Sequence, residues 1–290
     1  MKPIIGLHLI GIVALTGAVV LAGCDSDEGP TGPCPALDVV NVGHRGTGTN
    51  EDANPFPENT IESFMQAVSE GAQMLELDVM HSADGVLVVI HDSKVDRTTD
   101  GIGCVGDMTV AELQLLDAGF GTDLEGMGVV IPTLDEVLAA IDTDINIEIK
   151  VHTGNCSTTD VALTAQDVAD AINNDTAGRR FTVSSFDADM LSAVQTVDST
   201  IYLGYLTLDP DDADVAASRG FAALNIFSLI VREPEAVQAI RDQGLEVTVW
   251  TENDPFNLDD HLTSPVDMII TDDPDTLEVV RAEWCDRNGY

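Results

Sequence analysis

The feature that most limits how this chain can fold is its regular exchange of short β-branched runs with helix-length segments. Strand-like runs fall at 39–43, 74–80, 146–150, 181–185, 201–206, 222–227, 246–250 and 268–271. Between most of them lie segments with helical spacing, at 60–70, 134–141, 161–173, 188–195, 213–219 and 234–243. Strand, helix, strand in succession implies parallel pairing with helical crossovers. Eight such units in one stretch predict an α/β fold closed into a (β/α)8 TIM barrel rather than an open sheet.

A further strand-like run at 86–90 does not fit that count. Only Ser82-Ala83-Asp84-Gly85 separates it from the second strand. A parallel crossover needs a dozen or more residues, whereas Ala-Asp-Gly suits a hairpin turn. The run is therefore expected to pair antiparallel with the second strand. It opens a Gly-rich insertion over about 82–132, with a short helix near 110–116.

Outside the barrel the N-terminus has its own character. Lys2 precedes an apolar run over 4–21 that ends Leu21-Ala22-Gly23-Cys24. A charged start, an apolar stretch and small residues before a cut site read as a secretory signal over 1–23. The last four residues resemble a bacterial lipobox, which implies lipidation of Cys24. An uncleaved membrane anchor is the alternative that the same run allows. Either way the domain, expected over 37–285, sits outside the cytoplasm as an exported, membrane-attached protein. Residues 24–36, rich in Asp, Gly and Pro, read as the tether. The net charge of −39 excludes nucleic acid as a partner, because a phosphate backbone would be repelled. It describes a heavily hydrated surface rather than a mechanism.

The chemistry concentrates where strands end, the side on which barrels of this kind build active sites. These ends read Gly43-His44-Arg45-Gly46, Glu76-Leu77-Asp78 and Glu148-Ile149-Lys150. Alternation along a strand puts Glu76 and Asp78 on one face. Carboxylates inside a barrel mouth repel one another unless a cation lies between them. Three of them, with no Cys or His at matching spacing, favour a hard ion such as Ca²⁺ or Mg²⁺. A Glu-x-Asp pair facing solvent remains the bland alternative. His44 adjoins Arg45, a residue suited to bidentate phosphate recognition, between glycines that let the backbone approach a ligand. His91, at the end of the hairpin strand, is expected to return to the same mouth. Two imidazoles, an arginine and a metal are sufficient parts for displacement at phosphorus.

The motifs above resemble those of glycerophosphodiester phosphodiesterases. Further matches are Pro57-Glu58-Asn59-Thr60, Val89-Ile90-His91-Asp92, Asp96-Arg97-Thr98-Thr99-Asp100-Gly101, Ile131-Pro132-Thr133-Leu134, Trp250-Thr251-Glu252-Asn253 and Ile270-Thr271-Asp272-Asp273-Pro274. The similarity runs from about 39 to 277, and the order and spacing of these short runs carry it. It implies a barrel with an insertion after the second strand, and hydrolysis of a glycerophosphodiester to glycerol 3-phosphate and an alcohol. It also implies that Glu76, Asp78 and Glu148 hold one divalent cation. His44 and His91 are then the acid/base pair, and Arg45 and Lys150 contact phosphate.

Other matched residues have plainer expected roles. Asn59 or Thr60 caps a helix, and Thr271-Asp272-Asp273-Pro274 is a strand-ending turn that caps the last one. Asp92 orients its loop or His91. Trp250 and Phe186 line a wall for the alcohol or pack in the core. A lysophospholipase-D-type activity on the same barrel and a non-catalytic glycerophosphodiester-binding surface protein are the alternatives. Four cysteines besides Cys24 allow three pairings. On the implied barrel, Cys34 and Cys285 belong at the face away from the mouth, and Cys104 and Cys156 lie in loops near it. The need for bridged α-carbons within about 7 Å then favours Cys34–Cys285 and Cys104–Cys156.

Overall fold

The computed structural model describes residues 32–50, 54–152, 154–156 and 159–290. The expected signal at 1–23, the lipidation site Cys24 and most of the tether lie outside the described residues. Eight parallel strands close on themselves: β1 (Val40–Gly43), β2 (Met74–His81), β4 (Asp144–Ile149), β5 (Phe181–Ser185), β6 (Tyr202–Thr207), β7 (Ala223–Phe227), β8 (Glu246–Trp250) and β9 (Met268–Thr271). The ring closes through β1, which pairs with β9 on one side and β2 on the other. The ninth strand, β3 (Leu87–Val89), runs antiparallel on β2, with Val79 opposite Val89 and His81 opposite Leu87. The barrel and the antiparallel excursion are thus those read from the sequence.

The crossovers are α1 (Ile61–Ser69), α3 (Leu134–Ala140), α4 (Val161–Asn174), α5 (Ala188–Val197), α6 (Ala213–Arg219), α7 (Pro234–Arg241) and α8 (Pro255–Thr263), and α9 (Pro274–Arg287) follows the last strand. Most begin on a capping side chain. Thr60 caps α1, Thr133 closes a capping box with Glu136 on α3, and Asp160 and Asp187 cap α4 and α5. Each such cap is worth about 1 kcal/mol. One helix falls outside the expected set. The sequence of α8 has too few apolar residues for a clear stripe, although Asp254 before Pro255 marks its start.

Because both strand faces are buried, the barrel strands read as nearly continuous apolar runs. Their outward residues, among them Leu75, Leu77, Ile145, Ile147, Val183, Leu224, Val247 and Ile269, pack under the helices in one large core. The insertion forms a second core of Met80, Val88, Ile90, Val95, Val105, Leu113, Val129 and Ile131, with a one-turn helix, α2 (Val110–Leu113). This satellite packs against the hairpin through Met80, Val88 and Ile90.

Both expected cysteine pairs are joined. Cys34 meets Cys285 with α-carbons 5.7 Å apart, which ties the chain before β1 to the last helix. Cys104 meets Cys156 at 5.5 Å and links the insertion to the loop after β4. Cross-links of this span typically contribute roughly 2–4 kcal/mol by restricting the unfolded chain. No helix among the described residues is long and apolar enough to cross a membrane.

Candidate active site

β1 delivers His44 and Arg45 through a sharp turn. Arg45 has φ 49°, a left-handed conformation unusual for a residue other than glycine, and Gly46 follows at φ 93°. A side chain at Gly46 would begin 2.2 Å from the Ser63 hydroxyl, so only glycine lets the turn close on α1. The turn aims the Arg45 amide at Glu76 Oε2, 2.9 Å away, while the Arg45 side chain reaches Glu58 at 2.9 Å and Asp78 at 3.3 Å. Local backbone strain is thus spent on bringing one residue into contact with three carboxylates.

β2 and β4 supply the acids. Asp78 lies opposite Glu148 in the parallel register, and Glu76 stands one pleat below. Glu76, Asp78 and Glu148 each offer an oxygen, all within 4.8 Å of one another, and all three residues are buried. Lys150, just past the end of β4, places its ammonium on Glu148 and 3.4 Å from Asp78.

The charges are strongly uneven. Burial, reinforced by Asp78 and Glu148, pushes the Glu76 carboxyl well above the usual carboxylate range. Burial opposes ionisation of Asp78 too, yet Lys150, Arg45 and His91 hold it below its ordinary value. Burial raises Glu148, with Lys150 pulling the other way. Glu76 Oε1 and Asp78 Oδ1 are buried and accept no hydrogen bond. Asp78 Oδ1 has only the Lys150 ammonium, 3.4 Å away, and Glu76 Oε1 has no such partner; buried carboxylate oxygens converging in this way are costly unless a cation is bound. The donor set is all oxygen and matches a hard divalent ion.

Each histidine is backed by an aspartate. His91 Nδ1 lies 2.6 Å from Asp92 Oδ1, as expected of Asp92, and Arg97 holds Asp92 in turn at 2.7 Å. His44 Nδ1 lies 2.6 Å from Asp272 Oδ1, and its Nε2 is 4.0 Å from Glu76. The turn at 271–274 therefore does more than cap a helix: Asp273 is the cap of α9, and Asp272 binds the histidine. Asn59 also has a different role from the expected one. Thr60 caps α1, while Asn59, at φ 59°, donates to Asp78 Oδ2 at 2.8 Å and accepts from the Asp78 amide at 3.2 Å. Glu58 joins Arg45 to Arg97, whose two terminal nitrogens lie 2.7 and 2.8 Å from its oxygens.

Three residues of this constellation, Asn59, Arg97 and Asp272, were not expected to reach it. The second of two adjacent aspartates suffices to cap α9, which leaves the first surplus; that surplus was the available signal. His44, Arg45, His91, Lys150 and the three carboxylates lie together at the mouth. Phe186 and Trp250 meet edge to face at 5.3 Å, Phe227 packs on Trp250 at 5.5 Å, and Lys150 sits 5.9 Å over the Phe186 ring. The Trp250 indole donates to Asn225 O at 2.8 Å, so one edge of this residue is structural.

Known proteins resemble this chain in sequence and fold. Residues 44–276 match the model of the glycerophosphoryl diester phosphodiesterase family. A glycerophosphodiester phosphodiesterase from Caldanaerobacter subterraneus is 34% identical over 246 residues, covering 83% of this chain and 97% of its own. Among solved structures, an Oleispira antarctica phosphodiesterase in complex with the product sn-glycerol-3-phosphate superposes with a TM-score of 0.75. It is 26% identical and covers 84% of this chain and 97% of its own. The glycerophosphodiester phosphodiesterase of Agrobacterium tumefaciens gives 0.67 at 32% identity, covering 83% and 99%. With the barrel, the carboxylate triad and the two histidines in place, these likenesses identify the chain as an enzyme that belongs to the glycerophosphoryl diester phosphodiesterase family.

Proposed function

We propose that the chain cleaves glycerophosphodiesters to glycerol 3-phosphate and an alcohol with one divalent cation, Ca²⁺ or Mg²⁺, and with His44 and His91 as the acid/base pair. The observation that carries this reading is the buried triad of Glu76, Asp78 and Glu148 with two oxygens lacking hydrogen-bond partners. A cation there supplies charge to offset the phosphoryl oxygens.

The chain's own groups do the rest. Each aspartate-backed imidazole keeps Nδ1 occupied, which leaves Nε2 to take or give a proton. One removes the proton from the attacking hydroxyl, a glycerol hydroxyl or water, and the other protonates the departing alkoxide. Lys150, partly exposed at the mouth, and Arg45 offer positive charge to the phosphate. Phe186 and Trp250 form a wall for the alcohol. At physiological salt the screening length is about 8 Å, so these local charges outweigh the repulsion expected from the net −39.

The same reading includes an exported, lipid-anchored setting. The signal-like N-terminus and two joined cysteine pairs support it, since such pairs persist in oxidising compartments. A Cys24→Ala chain should then leave the membrane fraction; one that stays bound contradicts the lipid anchor. The function is tested by assaying glycerophosphocholine, glycerophosphoethanolamine, glycerophosphoglycerol and a lysophospholipid for released glycerol 3-phosphate or choline, with and without chelator. Chelator-sensitive turnover of the first three supports the reading. Turnover of the lysophospholipid alone would replace the substrate class.

A further inference from the structure

We propose that Asp272 is the positioning residue of His44, itself clamped by Asn253, and that this pair fixes the His44 ring with Nε2 toward the carboxylate triad. The inference rests on the role proposed for His44 and extends it.

Four observations converge. Asp272 splits its carboxylate, with Oδ1 on His44 Nδ1 at 2.6 Å and Oδ2 accepting from Asn253 Nδ2 at 2.7 Å. The Asn253 side-chain oxygen accepts from the Asp272 amide at 2.8 Å and from the Thr271 hydroxyl at 3.1 Å, so one amide holds both the backbone and the carboxylate. Asn253 is held in turn by buried Glu252, whose Oε1 accepts from the amides of Asn253 and Asp254 and from Asn257. From the adjacent strand, the loop after β1 closes on the same side chain. A Cβ at Gly48, where φ is 93°, would lie 2.5 Å from that of Asp272.

The two histidines differ in how their aspartates are charged. Arg97 sits directly on Asp92, whereas the side-chain partners of Asp272 are an imidazole and a neutral amide. A carboxylate accepting from Nδ1–H selects the tautomer with a bare Nε2, the atom that faces Glu76 at 4.0 Å. His44 is also anchored by its amide on Thr271 O at 2.9 Å, so neighbouring residues of one strand end hold its backbone and its ring. Loss of Asp272 frees the ring to turn without removing a phosphate or cation contact.

The test is a double-mutant cycle on the full chain with glycerophosphocholine and saturating Mg²⁺ or Ca²⁺. Asp272→Ala is expected to lower kcat about 10²-fold with KM within about threefold. It should cost nothing further in a His44→Ala background, because both changes remove one unit. Nitrogen-15 spectra of the imidazoles should show the Nδ1-protonated form of His44 in the parent and its loss in Asp272→Ala. Unchanged kcat, or an equal loss in both backgrounds, overturns the inference while leaving the role of His44 intact. Full activity of His44→Ala removes that role, and the positioning with it. If Asp272→Ala does not fold, Asn253→Ala carries the same cycle, with a smaller kcat loss that must also vanish without His44.

Discussion

The mouth of the barrel has two unlike halves. Along β1, β2 and β4 the strand ends carry His44, Arg45, Glu76, Asp78, Glu148 and Lys150, and the insertion adds His91 and Arg97. Along β5 to β8 the corresponding ends are Ser185, Thr207, Phe227 and Trp250, with Phe186 beside them. The chain has 12 basic residues against 51 acidic ones, and it places three of the 12 on the first half. Buried carboxylates need local cations, whatever the net charge, whereas aromatic and hydroxyl ends need none. The lesson is a division of labour: one half handles phosphate and cation, and the other can meet only the less charged end of a substrate.

Substitutions in the first half should break that division most severely. Asp78→Ala removes an oxygen from the triad and the partner of Arg45, Asn59 and Lys150. Activity should fall on the order of 10³-fold or more, with cation binding lost. Near-normal turnover with bound cation would show that the halves are not divided as described. A smaller effect is expected one contact away. Asn59→Ala leaves the triad but frees Asp78, and cation affinity should drop about 10–100-fold by calorimetry. In the second half, Phe186→Ala should raise KM only several-fold with kcat little changed, since an aromatic contact contributes about 0.5–1.5 kcal/mol. A large loss of kcat there would place chemistry on both halves.

The smallest effect concerns stability. Glu76 is raised by burial and by its acidic neighbours, so its neutral form is favoured in the folded state. Its contribution is complete below the ordinary value of 4.5 and is lost as pH rises through the raised value. Asp78, held low, acts oppositely and only below about 3.8. The Tm of cation-free protein should therefore fall as pH rises above 4.5, and less so in Glu76→Gln or with Ca²⁺ present. Identical pH profiles for parent and variant would contradict the shift.

What the sequence revealed follows from the range over which each signal acts. The barrel was legible because doubly buried strands are β-branched runs, and the hairpin because Asp84-Gly85 allows too short a connection for a crossover. Glu76, Asp78 and Glu148 were legible because alternation puts them inside. Asp272 was not, since 228 residues separate it from His44 and its neighbour Asp273 supplies the local capping signal. Asn59 was hidden in the same way beside the true cap, Thr60. Arg97 had a motif around it but no local reason to reach Glu58, 39 residues away. Side chains that hold other side chains leave no periodicity, and only the folded chain shows them.

The central claim is that the first half of the mouth is built around a cation. Calorimetric titration of Ca²⁺ or Mg²⁺ into exhaustively chelated protein tests it most directly. One ion per chain should bind with release of a proton, and the binding should vanish in Glu76→Gln/Asp78→Asn. Saturable binding unchanged in that double variant, or none in the parent, would contradict the account.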